Sequence, residues 1–185
     1  MSETRSSPLD HLVAEATPEV LTVLRHPTNL VKLGVKGPGL VAWAGQHDIE
    51  LPVEIYDTLV VGQNAVLVRV GTGELILQCV LKDELLTRFE SALQTADTGV
   101  YRIDQQSVTM VLQGDAGLAV LAQTCGVNFA SEPADRMVYT RVAGVSCGVL
   151  PGEQEGRRVY QLWVDYSLAP YLWETLAEIA AGSTN

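Results

Sequence analysis

Val108-Thr-Met-Val-Leu-Gln-Gly-Asp-Ala-Gly-Leu-Ala-Val-Leu-Ala-Gln-Thr-Cys125 reads as a strand running into a glycine turn and then a short apolar helix. Val108, Met110 and Leu112 alternate with Thr109, Val111 and Gln113, the period-2 pattern of a strand with one well-buried face. Gly114-Asp115 breaks the alternation, and Asp115 is placed to cap the helix by accepting free backbone N–H groups. Leu118, Leu121, Ala122 and Cys125 then fall at i, i+3, i+4 and i+7, one helical face that Gly126 can end. The unit has an echo. Val31-Lys-Leu-Gly-Val-Lys-Gly-Pro-Gly-Leu-Val-Ala-Trp-Ala-Gly-Gln46 lines up with it, Gly37 falling on Gly114 and Gln46 on Gln123. Two copies of one supersecondary unit, each too small to bury its own apolar face, make an internal repeat.

The rest of the chain follows from that repeat. Residues 30–36 are the first strand of the first copy and residues 38–46 its helix, where Pro38 is tolerated because the first helical turn needs no N–H donor. Residues 47–61 read as a long connection punctuated by Pro52, with a short extended piece at 58–61. Residues 65–79 form a hairpin turning at Gly71-Thr-Gly73. A helix over 82–93 turns Leu85, Leu86, Phe89 and Leu93 inward and carries a surface Glu84–Arg88 pair. The seam falls in 94–99.

The second copy has strands at 100–103 and 107–113, the helix already described, and a hairpin of 137–142 and 145–150 turning at Ala143-Gly144. A polar loop tip at 151–156, a strand at 158–166 and a helix at 168–181 complete it, with Leu172, Leu176 and Ile179 inward and Pro170 in the first turn. The predicted class is α+β: two ferredoxin-like β-α-β-β-α halves, about 28–94 and 98–181, of mainly antiparallel sheet with helices on one side. Ahead of them, residues 1–8 are expected to be a flexible arm. Leu9 and Leu12 can dock, and Thr17-Pro18 opens a capped turn or an irregular connection.

Composition limits function. At 185 residues the chain suits one domain, or two half-domains sharing a core. With 47% hydrophobic and 18% charged residues, there is ample material for a buried core, and the composition is not that of a disordered chain. A net charge of −10 repels nucleic acid and anionic membranes. No apolar run reaches the roughly 20 residues that span a bilayer. The polar start lacks the apolar core of a secretory signal, and three cysteines, Cys79, Cys125 and Cys147, include no CxxC. Both points lead to the expectation of a reduced, cytoplasmic chain whose thiols are small buried hydrophobes.

Chemistry-bearing patterns are sparse. His11, His26 and His47 are scattered with no second ligand at metal spacing. Gly37-Pro-Gly39 and Gly114-Asp-Ala-Gly117 lie between strand and helix, yet neither is a phosphate-binding motif, and turn formation accounts for both. No histidine in the second half can activate Ser146, Ser167 or Cys147, and Asp83-Glu84 and Glu153/Glu155 sit on solvated positions. Catalytic, cofactor-binding and metal-binding residues are therefore expected to be none. Tyr160, Trp163, Tyr166, Tyr171 and Trp173 crowd into fourteen residues. Core packing uses some of these rings; Tyr171 and Trp173, two apart, cannot both face the centre of one helical stripe. The surplus predicts a protein interface.

Several stretches taken together resemble one family. They are Arg5-Ser-Ser-Pro-Leu9; Leu51-Pro52 with Ala65-Val-Leu-Val and Gly73-Glu-Leu-Ile-Leu77; Leu112-Gln-Gly-Asp-Ala116 through Leu121-Ala-Gln-Thr-Cys125; the hairpin Tyr139-Thr-Arg-Val-Ala-Gly-Val145; and Tyr160-Gln-Leu-Trp-Val-Asp-Tyr-Ser-Leu-Ala-Pro-Tyr-Leu-Trp173. The chain resembles the gamma subunit of heterotetrameric sarcosine oxidase, a relative of the folate-binding aminomethyltransferase domain of the glycine cleavage system. Around Val68-Arg-Val-Gly-Thr-Gly-Glu74 it keeps only the equivalents of Gly71 and Glu74 from a Leu-Gly-Pro-Asp-Glu-Trp-like turn. The catalytic aspartate of true aminomethyltransferases has no clear counterpart.

The resemblance implies an accessory, structural subunit of a flavin complex that oxidatively demethylates sarcosine to glycine. It implies large alpha and beta flavin subunits and a small delta subunit as partners, with FAD, FMN, NAD, zinc and tetrahydrofolate carried by other subunits. Two other readings stand beside it: an autonomous folate-binding, aminomethyltransferase-like protein, and a self-associating binding module.

Overall fold

The computed structural model describes residues 6–62, 65–94 and 99–182. Among them the elements run α1 (Asp10–Glu15), α2 (Pro18–Val23), β1 (Leu24–Arg25), β2 (Leu30–Lys36), α3 (Leu40–Gln46), β3 (Thr58–Val61), β4 (Ala65–Gly71) and β5 (Glu74–Val80). They continue α4 (Glu84–Gln94), β6 (Tyr101–Asp104), β7 (Ser107–Gln113), α5 (Gly114–Thr124), β8 (Val138–Val142), β9 (Val145–Gln154), β10 (Arg157–Asp165) and α6 (Ala169–Gly182). The class is α+β and ferredoxin-like, with two five-stranded antiparallel sheets. Each half runs β-α-β-β-β-α, one strand more than the predicted shorthand, because the extended piece at 58–61 and the strand at 157–165 both join sheets.

Two compact units divide the chain: Asn29–Gln105, and Met1–Thr28 together with Gln106–Asn185. These boundaries differ from the sequence repeat, whose predicted seam includes residues 95–98, outside the described set. The sheet orders are β3-β4-β5-β2-β6 and β8-β9-β10-β7-β1. They are the same order element for element. In each, the fifth strand is a short one from the other sequence half: β6 immediately precedes β7 yet pairs with β2, and β1 immediately precedes β2 yet pairs with β7.

In the unit of residues 29–105, Leu33 and Val35 of β2, Leu67 of β4 and Leu75, Leu77 and Cys79 of β5 pack on Leu40, Trp43 and Ala44 of α3 and Phe89 and Ala92 of α4. Alternation along each strand puts these residues on one face. Trp43 meets Phe89 edge to face at 5.5 Å, and its indole N–H donates to the Ala92 carbonyl at 3.4 Å, which satisfies the one polar atom of the ring. Helix α3 starts at Leu40 with Gly39 as its N-cap, so Pro38 stands before the helix and not in its first turn. The Asp83 carboxylate caps α4 by accepting from Leu85 N–H at 2.9 Å.

Gly37 anchors this unit. Its N–H donates to the Gly73 carbonyl at 2.9 Å, and its φ of +151° is open only to glycine. A Cβ there would run into the Gly99 carbonyl, and one on Gly73 would lie 2.7 Å from the Gly37 carbonyl oxygen.

The second unit is built on the same plan. Val108, Met110 and Leu112 face a core completed by Tyr160, Leu162 and Val164, Val120 and Leu121, and Leu172, Trp173, Leu176 and Ala180. Thr109, Val111, Leu150 and Trp163, on the opposite face, are buried as well. Helix α5 departs from expectation in three ways. Its N-cap is Gln113, with Asp115 inside the first turn, where a carboxylate favours the positive helix end without capping it. It ends at Thr124 with Cys125 extended, so Gly126 is not the stop. Its buried stripe is Gly117, Val120 and Leu121, one residue earlier than predicted, while Ala122 is exposed. Gly117 explains the rotation. A Cβ at that position would come within 2.9 Å of the Leu112 backbone, so the helix rolls its glycine onto the strand.

The predicted polar tip at 151–156 is mostly strand. β9 pairs with β10 from Gly148 to Gln154, and the turn is only Glu155-Gly156, with φ of +52° and +74°. Pro151, opposite Tyr160, is tolerated because β8 pairs β9 only through Val149, leaving no ladder bond for the missing N–H on that side. The turn at Ala143-Gly144, with φ of +49° and +81°, is the tight hairpin expected. At the N-terminus, Thr17 caps α2 with Pro18 in its first turn, and Leu9 is fully buried. Residues 1–5 of the predicted flexible arm lie outside the described set; Ser6 and Ser7 both bond to the Asp10 carboxylate, at 3.0 and 2.9 Å.

Candidate functional site

The C-terminal aromatics are mostly core. Tyr160 and Trp173 are 0% and 2% exposed, Trp163 is buried and Tyr166 half-buried; Tyr171 alone stands out, at 55%. The prediction of a surplus at this strand and helix thus narrows to one ring. Core packing takes the rest, since Trp173 shares a buried stripe with Ala169, Leu172, Leu176 and Ala180.

Exposed apolar surface concentrates elsewhere, on the connection at 47–61 and its short extended piece. Val53, Ile55 and Tyr56 in the connection and Val60 on β3 are all exposed, Val53 and Val60 by more than seven-tenths. The segment is held rigidly. The Arg69 guanidinium donates to the carbonyls of Pro52 (3.2 Å) and Val53 (2.6 Å). Arg88 donates to the carbonyls of His47 and Asp48, and does not form the predicted pair with Glu84. Tyr56 N–H donates to the Arg69 carbonyl and Arg69 N–H to the Asp57 carbonyl, extending the β3–β4 ladder by hydrogen bonds. Tyr56 adopts a φ of +75°, an uncommon conformation for an aromatic residue that the surrounding bonds hold in place.

Beside β3 lies an open cleft of about 300 Å³ lined by Ile49, Leu59, Val61, Leu67 and Leu85, with Asp48, Glu50 and Arg88 also on its wall. Sequence reading missed this surface. Its signal was present: Val53, Ile55 and Tyr56 are apolar residues in a proline-broken connection that no predicted element buries. Replacing Arg69 with Met is expected to remove the two carbonyl bonds at a cost of about 1.5–3 kcal/mol. Amide exchange should then accelerate selectively at residues 52–57.

The second constellation is Ser7–His26–Thr109. His26 Nδ1 lies 2.8 Å from the Thr109 carbonyl, which can only accept, so that nitrogen carries the proton. In the neutral ring, Nε2 then accepts from the Ser7 hydroxyl, at 2.8 Å. The Ser7 oxygen also accepts from Leu9 N–H at 3.3 Å, so the group pins the Ser7-Pro8-Leu9 corner to the sheet. Sequence reading found only that His26 has no second ligand at metal spacing; the serine lies nineteen positions away, outside any local motif. His11 is exposed, and His47 sits against the Trp43 ring at 5.7 Å.

The third is Lys32, on the β2 face turned away from the helices, in register with the buried Gln78. Burial pushes its ammonium down to about 7. The unfolded chain holds that proton up to a pH of about 10.4, so between the two values the folded state binds fewer protons and stability rises with pH. Lys32→Met removes this dependence. The wild type should gain about 1–2 kcal/mol relative to the variant between pH 7 and 10, the long stem being only partly buried. Denaturant unfolding across that range measures it.

The thiols are unreactive where buried. Burial raises Cys147 to about 12 and Cys79 to about 11, and a thiol that stays protonated is a poor nucleophile. Among the described residues no group of three or more His, Cys, Asp or Glu side chains is gathered to hold a metal ion, and no helix is long and apolar enough to cross a membrane.

No protein-family model matches the sequence, and no curated protein matches it. Solved structures do. The fold is that of a chain in heterotetrameric sarcosine oxidase from Corynebacterium sp. U-96, in complex with pyrrole 2-carboxylate, at a TM-score of 0.79 and 18% identity. That match covers 99% of this chain and 98% of the other. Glycine cleavage system aminomethyltransferase T from Bartonella henselae shares the fold at a TM-score of 0.65 and 18% identity, over 91% of this chain but only 49% of that one.

Proposed function

We propose that this chain is an accessory, non-catalytic subunit of a flavin-dependent sarcosine oxidase-type complex, equivalent to the gamma subunit. Large alpha and beta flavin subunits and a small delta subunit are its partners. FAD, FMN, NAD, zinc and tetrahydrofolate reside on those other subunits, and the assembly works in the cytoplasm. The observation that carries this reading is the two-way coverage: 99% of this chain against 98% of a chain from a heterotetrameric sarcosine oxidase. A rigid, exposed apolar segment at 53–60 is the kind of surface such a subunit needs.

Aminomethyltransferase T supports the rival reading of an autonomous folate-binding protein, but this chain spans about half of that protein's length. Titration of the isolated chain with tetrahydrofolate separates the two. No heat of binding and no thermal shift are expected; saturable binding with a single site would replace the accessory reading with the folate-binding one.

A further inference from the structure

We infer that the outer edge of β3 is a docking site for an extended, lysine- or arginine-bearing segment of a partner polypeptide, which adds to the sheet as a sixth strand. The inference rests on the proposed accessory role and deepens it.

Edge strands are normally guarded by charge, proline or brevity. Of the four edges among the described residues, β1 is two residues long and carries Arg25, β8 carries Arg141, and β6 carries Arg102 and Asp104. β3 is Thr-Leu-Val-Val, with no charge and no proline, and β4 is its only strand neighbour among the described residues. The frame around it is already ordered by Arg69 and Arg88, so an incoming strand would meet a preformed edge.

Strand addition draws affinity from main-chain hydrogen bonds and specificity from pockets for alternate side chains. The cleft beside β3 supplies such a pocket. Its Ile49, Leu59, Leu67 and Leu85 suit an aliphatic stem, and Asp48 and Glu50 suit a cationic tip. Four carboxylates, Asp48 and Glu50 on the cleft rim and Glu54 and Asp57 in the connection, outnumber the two cations Arg69 and Arg88, both of which donate to backbone carbonyls. The same rim disfavours a second copy of this acidic chain as the occupant.

The test compares amide exchange at residues 58–61 in the full chain alone and co-assembled with the two flavin subunits. Protection by about ten-fold or more on assembly is expected, with partner release accelerated at least ten-fold by Val60→Lys and by Glu50→Lys. Val60 is largely exposed, so its substitution leaves the fold intact. Assembly with no protection at 58–61, or with both variants behaving as wild type, overturns the docking site and leaves the accessory role standing. If the subunits do not assemble, the accessory role fails. The free chain then decides the docking site against acetyl-Val-Lys-Val-Thr-Val-Lys-Val-amide and its Lys→Glu analogue. Binding of the lysine peptide alone, protecting 58–61, supports the site; no binding, or equal binding of both, overturns it. A concentration-dependent dimer protected at 58–61 also overturns it, in favour of a second copy.

Discussion

Gly37→Ala is expected to lower the unfolding free energy by about 3 kcal/mol or more. Two independent costs combine. A φ of +151° is strained for any L residue, and the added Cβ would meet backbone, the Gly99 carbonyl, which cannot swing away as a side chain can. Relief by backbone movement would break the bond from Gly37 N–H to the Gly73 carbonyl. The repeat supplies an internal control. Gly114, the aligned glycine, has a φ of +62° with nothing within 4 Å of a built Cβ, so Gly114→Ala should cost only about 1–2 kcal/mol, the left-handed penalty alone. Urea unfolding of both variants measures the gap, and amide exchange should place the Gly37→Ala loss within 29–105. Equal costs for the two would contradict the close-approach argument.

Trp173→Ala is the second large effect, about 3–5 kcal/mol from a buried cavity in the core of the other unit. Its neighbour two positions away should behave oppositely. Tyr171 is 55% exposed, and Tyr171→Ala should change stability by no more than about 0.5 kcal/mol. Matched denaturant melts of the two decide whether the C-terminal aromatics are core or surface. A Trp173→Ala variant as stable as wild type would return that ring to the interface role expected from the sequence.

Particular residues show how far sequence reading reaches. The alternation of Val108, Met110 and Leu112 and the echo of Gly37 in Gly114 were enough for the α+β class, because period and turn chemistry are local properties. The roll of α5 was not legible, since it depends on Gly117 meeting Leu112 backbone at close range, a fact about packing distance. Pro151 reads as a breaker until β8 is seen to stop at the Val149 pairing. Arg88 offered an i,i+4 partner in Glu84, and the carbonyls of His47 and Asp48, some forty residues away, took it instead.

The candidate site was the least legible part. Aromatic crowding at 160–173 overstated the number of exposed rings, because side-chain type does not say which of them a two-sided buried sheet conceals. The connection at 47–61 became a surface only through Arg69 and Arg88, whose targets are backbone atoms and leave no sequence motif.

Native mass spectrometry of this chain co-produced with the large flavin subunits tests the central claim most directly. One copy of the 20.0 kDa chain per flavin assembly is the predicted result, with sarcosine oxidation found in the assembly and absent from the chain alone. A chain that stays monomeric beside intact, fully active flavin subunits would contradict the account.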